Sequence, residues 1–138
     1  MEKQILDQIL ADHQLWLTGK GGKKANLYGA NLSHSDLFGA NLTNADLSGA
    51  DLSHADLSRA DLRYADLSRA DLSHAHLTGA NLFDANLSDA ALSYANLSRA
   101  NLIGADLSRA NLSGARLTKA DLTVAILTDA ILHKRKEV

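Results

Sequence analysis

The sequence predicts an all-β solenoid that turns once every five residues, closed at its N-terminal end by a short α-helical cap. Two observations carry this. Leu occupies positions 27, 32, 37 and every fifth position to 132, which makes 22 units, and the position two before each Leu is Ala except at Ser35. A five-residue period fits no straight element. At about 3.6 residues per helical turn successive Leu side chains would rotate off a common face, and in a strand they would alternate faces. The chain must turn once per unit, with Ala and Leu pointing inward together from a short extended segment.

Residues 1–24 lack the repeat and are expected to form a cap helix and linker. Ile5, Leu6, Ile9 and Leu10 fall at helical spacing, with Leu15, Trp16 and Leu17 further on, and Gly21 and Gly22 mark a stop. A solenoid leaves open ends that must be covered, so the apolar face of this helix is assigned to the first coil rather than to a membrane or partner. Lys20, Lys23 and Lys24 read as a solvated turn.

Residues 25–132 carry the unit Ala-(Asp/Asn)-Leu-(Ser/Thr)-X. Gly29, Gly39, Gly49, Gly79, Gly104 and Gly114 stand at the last position, where a corner with positive φ is cheapest for glycine. The runs Ala-Asp-Leu-Ser-Arg at 55–59 and 65–69 and Ala-Asn-Leu-Ser-Gly at 110–114 resemble the signature of the pentapeptide-repeat proteins, across about four-fifths of the chain. That resemblance implies a right-handed quadrilateral parallel β-helix in which four units make one coil. With 22 units the solenoid has about 5.5 coils and, at roughly 4.8 Å per strand, a length of about 26 Å. The N-terminal Leu-Trp-Leu before a Gly/Lys turn is similar to cyanobacterial members, many of which have no assigned biochemical role.

The C-terminal tail, 133–138, is too short to cap the other end. Val124, Ile126 and Ile131 stand where the repeat normally has polar or small residues, beside Leu127 and Leu132. This apolar rim predicts an end-to-end homodimer through the last coil, the alternative being a tail folded back over the end.

Residues 20 apart should lie above one another, so columns read as surface stripes. Phe83 and Ile103 share a column with Tyr64 beside them, the candidate protein-contact patch; Phe38 is an outward aromatic alone in its column. His34, His54, His74 and Tyr94 form another, which suits stacking better than metal binding because three ligands in a flat line converge poorly. Ser48, Ser68, Ser88 and Ser108 make a weak version of an ice-binding hydroxyl array. Six successive units place Asp before Leu, at Asp46, Asp51, Asp56, Asp61, Asp66 and Asp71. These are candidate carboxylates for a mimic of duplex DNA, as the resemblance to gyrase-inhibiting family members implies. The structural reading is that they hydrogen-bond the corner backbone.

No cofactor is expected and no enzyme: there is no Cys, no Ser/His/Asp set outside the repeat register, no phosphate-binding Gly loop, and a filled Ala/Leu interior leaves no pocket. The formal net charge of −2 argues against direct nucleic-acid binding. Without a basic, apolar leader or a long apolar run the chain is expected to be cytoplasmic and free of membrane. The expected role is a non-catalytic interaction module with an unidentified protein partner, with a DNA-mimicking inhibitor of DNA gyrase as the alternative.

Overall fold

The computed structural model describes residues 1–133; the predicted tail at 133–138 lies, apart from His133, outside the described residues. Helix α1 spans Lys3–Leu17. Its buried face is Leu6 and His13, with Ile9 and Leu10 packed on the solenoid core, a spacing that follows the helical period. Ile5, Leu15 and Trp16 are not part of that core and stay 51, 42 and 39% exposed. The helix ends at Leu17 with Thr18 as its C-cap, and the glycine that closes it is Gly19, not Gly21 or Gly22. Gly19 has φ +68°, its N–H donates to the Trp16 carbonyl, and the Lys20 N–H donates to the Leu15 carbonyl, so the last turn closes on itself. Gly22 serves a different purpose: a Cβ there would collide with the Asp12 carbonyl, and only glycine lets the linker cross the helix so closely.

From Asn26 onward every bridge is parallel and joins residue i to residue i+20, from Asn26 with Asp46 to Asn111 with Ile131. One coil is therefore 20 residues with a turn in each of its four units. Each Leu from Leu27 to Leu107 is at most 1% exposed. Burial of one such side chain contributes about 1.5–3 kcal/mol, offset by the entropy of ordering the coil around it.

The backbone accounting explains the rest of the unit. Three of its N–H groups donate between coils, as Asp46 to Ala25 at 3.0 Å, Leu27 to Asp46 at 2.7 Å and Gly29 to Ser48 at 3.0 Å. The Ala N–H closes the turn, as Ala30 to Leu27 at 3.0 Å. The remaining N–H, that of the residue after Leu, donates to the Asp or Asn side chain two residues before it, as Ser48 to Asp46 Oδ1 at 3.0 Å and Ser98 to Asn96 Oδ1 at 3.1 Å. Where the second residue is Asp or Asn all five donors are thus satisfied, and this accounts for the Asp/Asn preference. The hydroxyl and N–H of Ser53, and likewise of Ser58, hold the Asp51 and Asp56 carboxyls below their ordinary range.

The corner residue has positive φ throughout, in glycines and also in fifteen other residues. Val124, at φ +52°, is the β-branched member of that group, for which the left-handed region is least favourable. No helix of the described residues is long and apolar enough to cross a membrane.

Candidate functional site

A core filled by Leu and Ala leaves only the outer surface to carry function, and the 20-residue coil divides that surface into four faces, each named here by its first Leu. On the Leu42 face, the Tyr64 ring meets the Phe83 ring edge-on, with centroids 5.7 Å apart. The Asp84 N–H donates to the Ile103 carbonyl at 2.9 Å, so Phe83 and Ile103 stand in register on adjacent coils. Tyr64 is exposed, while Phe83 and Ile103 are half-buried. The three predicted patch residues are therefore neighbours.

At the corner of the Leu32 face, His34, His54, His74 and Tyr94 form a continuous stack with ring centroids 4.9, 4.8 and 5.2 Å apart. Among the described residues no group of three or more His, Cys, Asp or Glu side chains is arranged to hold a metal ion. Phe38, alone in its column, has the Arg59 guanidinium over its ring at 5.9 Å. The Ser48 and Ser88 hydroxyls are turned toward Asp46 and Asn86 at 2.6 and 2.7 Å and are not presented as a regular outward array.

The six consecutive Asp residues wind around the solenoid, since each unit moves to the next face. Asp46 and Asp66 lie on the Leu27 face, Asp51 and Asp71 on the Leu32 face, Asp56 on the Leu37 face and Asp61 on the Leu42 face. Each accepts the N–H two residues on. Burial works against ionisation of Asp61, but the Arg63 guanidinium, at 2.7 Å, and the Arg63 N–H hold its carboxyl below the ordinary range. A second bidentate pair, Arg109 with Asp89 at 2.7 Å, spans two coils of the Leu27 face and lowers the Asp89 pKa.

The two ends differ. At the N-terminal end the Met1 amine donates to the Asn31 carbonyl at 2.6 Å, and the Ala25 N–H donates to His13 Nδ1 at 3.0 Å, so α1 supplies polar partners as well as apolar cover. His13 gave no signal in the sequence because it lies outside the repeat. At the C-terminal end Val124, Ile126, Leu127, Ile131 and Leu132 are all exposed, Val124 by 77% and Leu132 by 53%.

A family profile described as pentapeptide repeats matches in 8 copies, over residues 25–63, 40–79, 80–118 and 105–134. No curated protein sequence matches the chain significantly. Among solved structures, the pentapeptide repeat protein Rfr23 from the cyanobacterium Cyanothece 51142 is 30% identical with a TM-score of 0.77, covering 88% of this chain and 97% of its own. A pentapeptide repeat protein from the Arabidopsis thaliana thylakoid lumen is 34% identical with a TM-score of 0.63, covering 65% of this chain and 63% of its own. QnrB1, a plasmid-mediated fluoroquinolone resistance protein, is 20% identical with a TM-score of 0.45, covering 78% of this chain and 76% of its own.

Proposed function

The chain belongs to the pentapeptide-repeat family, and from that premise we propose that it is a non-catalytic, cytoplasmic protein-interaction module that works through its outer faces. The relatives imply the right-handed quadrilateral form of the β-helix. The observation that carries the proposal is the juxtaposition of Tyr64, Phe83 and Ile103 on the Leu42 face, whose other outward residues are polar or glycine apart from Val124 at its C-terminal end. Aromatic side chains offer contact area at low entropic cost, and a partner that covered them would bury a small apolar centre within a polar rim. An interior closed by Leu favours recognition over catalysis, since a substrate would have no pocket to enter. A pull-down comparing the wild type with Phe83→Asp tests this: captured protein should be lost, and an unchanged partner list would remove the patch from consideration.

The exposed rim at Val124, Ile126, Leu127, Ile131 and Leu132 supports a homodimer through the last coil, in which two open sheet edges and two apolar layers cover one another. The alternative role, a DNA-mimicking inhibitor of gyrase, draws less support. A duplex mimic needs an unbroken ladder of carboxylates along one face; the six Asp of 46–71 are divided among four, and the five Asp of the Leu27 face are interrupted by Arg69 and Arg109, the latter paired with Asp89. A supercoiling assay separates the two roles, with no inhibition expected.

A further inference from the structure

The four faces differ in charge as well as in shape. The Leu27 face carries five Asp against two Arg, the Leu42 face three Asp against one Arg, and the Leu32 face two Asp and no Lys or Arg up to His133. The Leu37 face reverses the sign: Arg59, Arg99, Arg116 and Lys119 stand against Asp36 and Asp56. In its last two coils there are three cations and no acid. Among the described residues Arg99, Arg116 and Lys119 make no ion pair, in contrast to Arg63 and Arg109.

These cations do not simply fill neutral positions. The second place of the unit is structural, because its Asp or Asn accepts the N–H two residues later. On the Leu37 face that column reads Asp36, Asp56, His76, Asn96, Arg116, so two of five units give up the acceptor for a basic side chain. The N–H groups of Thr78 and Thr118 accordingly lack the side-chain bond that Ser58 and Ser98 make to Asp56 and Asn96. The rule is also broken at Ala91, Ile126 and Ile131, but only in this column are the replacements basic side chains, and this points to a ligand and not to the fold. The side chains border a depression of about 570 Å³ between Arg99, Arg116 and Lys119, lined also by the Thr78, Ser98 and Thr118 hydroxyls. It continues into a second, of about 340 Å³, beside His54, His74 and Tyr94; Asn96 and Arg116 belong to both.

We propose that the C-terminal half of the Leu37 face is a docking groove for a short acidic segment of a partner protein. Guanidinium groups and hydroxyls are the donors that carboxylates accept from, and the groove supplies both. Its cationic length is two coils, roughly 10 Å at 4.8 Å per coil, which suits two or three carboxylates. A nucleic acid would extend past the groove over the two flanking faces, those of Leu32 and Leu42, both of which are net negative and repel it. This proposal rests on the interaction-module reading but uses a different face from the Tyr64, Phe83 and Ile103 patch.

The test is a fluorescence anisotropy titration of full-length protein against a fluorescein-labelled hexaglutamate peptide, at low and physiological salt. Saturable, salt-sensitive binding is expected, weakened about tenfold or more, the effect of losing about three exposed charge pairs, in the triple variant Arg99→Ala, Arg116→Asn, Lys119→Ala. Arg116→Asn restores the ordinary residue of the repeat, so the variant should fold, which circular dichroism checks. Arg69→Ala on the Leu27 face and Phe83→Asp should leave binding unchanged, and this separates the groove from the aromatic patch. The proposal is overturned by absence of saturable binding at low salt, or by equal binding to the triple variant. Tighter binding of a single-stranded oligonucleotide of equal charge would overturn it in favour of nucleic acid. Self-association of the wild type that the triple variant abolishes would overturn it in favour of a second copy.

Discussion

Acidification should loosen the N-terminal cap before it disturbs the solenoid, and the cause is one histidine. His13 is fully buried, and its Nδ1 accepts the Ala25 N–H at 3.0 Å, a role that only the neutral ring can play. Burial lowers its pKa from the ordinary 6.5, the Thr43 carbonyl works the other way, and Lys24 adds to the lowering. The folded chain therefore binds this proton less readily than the unfolded chain. The stability it contributes is fully present above pH 6.5 and is lost as pH falls through the folded value. Protonating Nδ1 turns an acceptor toward a donor and forfeits one buried hydrogen bond, about 1–3 kcal/mol, carried by a helix otherwise anchored by Leu6, Ile9, Leu10 and the Met1 amine. Trp16 is the single tryptophan of the chain, and its ring stacks on His13 with centroids 5.5 Å apart, so its fluorescence reports the cap alone. Between pH 8 and 5 the Trp16 signal should change with a midpoint below 6.5 while the far-ultraviolet circular dichroism of the coils holds. In His13→Leu the transition should vanish, at a pH-independent cost because the Ala25 N–H loses its acceptor. Superimposable Trp16 profiles for the two proteins, or a midpoint above 6.5, would refute this reasoning.

The other predictions concern the solenoid. Leu72→Ala, in a fully buried column between Leu52 and Leu92, should cost about 3–5 kcal/mol in guanidinium denaturation, because hydrogen-bonded coils cannot collapse into the cavity. Leu127→Ala, at a site already 37% exposed, should cost less than about 2 kcal/mol, and equal losses at the two sites would contradict a core that thins toward the C-terminus. Gly114→Ala should lower the melting temperature, since φ is +69° and the new methyl would sit 2.7 Å from the Tyr94 ring. Val124→Gly should raise it, relieving a β-branched residue of about 1–2 kcal/mol of left-handed strain less the glycine's own entropy. In sedimentation, the wild type should form a dimer that Ile126→Lys with Ile131→Lys dissociates; a wild type that stays monomeric at high concentration would exclude the end-to-end contact.

Much of the architecture was legible because in a solenoid the repeat is the tertiary structure. Once Leu recurs every fifth residue and four units make a coil, residue i must lie under i+20, and the His34, His54, His74 column and the Phe83, Ile103 pair follow without further information. The N-terminal segment has no such repeat. Its helix can be read from spacing, but which residues face the coil cannot: Ile5, Leu15 and Trp16 fit the apolar spacing yet stay partly exposed outside the core. His13 was missed for the same reason, since its acceptor role depends on where Ala25 comes to lie. The Leu37 groove was missed differently. Columns taken one at a time show scattered Arg and Lys, and the reversal of sign emerges only when the three outward columns of a face are added together. The Asp residues carried a competing signal, and the hydrogen bonds at Asp46, Asp51 and Asp66 show them serving the turn.

The central claim is that the outer surface recognises protein partners at the Tyr64, Phe83 and Ile103 patch. The most direct measurement is site-specific photocrosslinking in cells, with benzoylphenylalanine in place of Tyr64 and, as the control, in place of Ser73 on the Leu32 face across the coil. Discrete protein adducts at position 64 that are missing at position 73 are predicted. No adduct at position 64, or the same adducts at both positions, would contradict it.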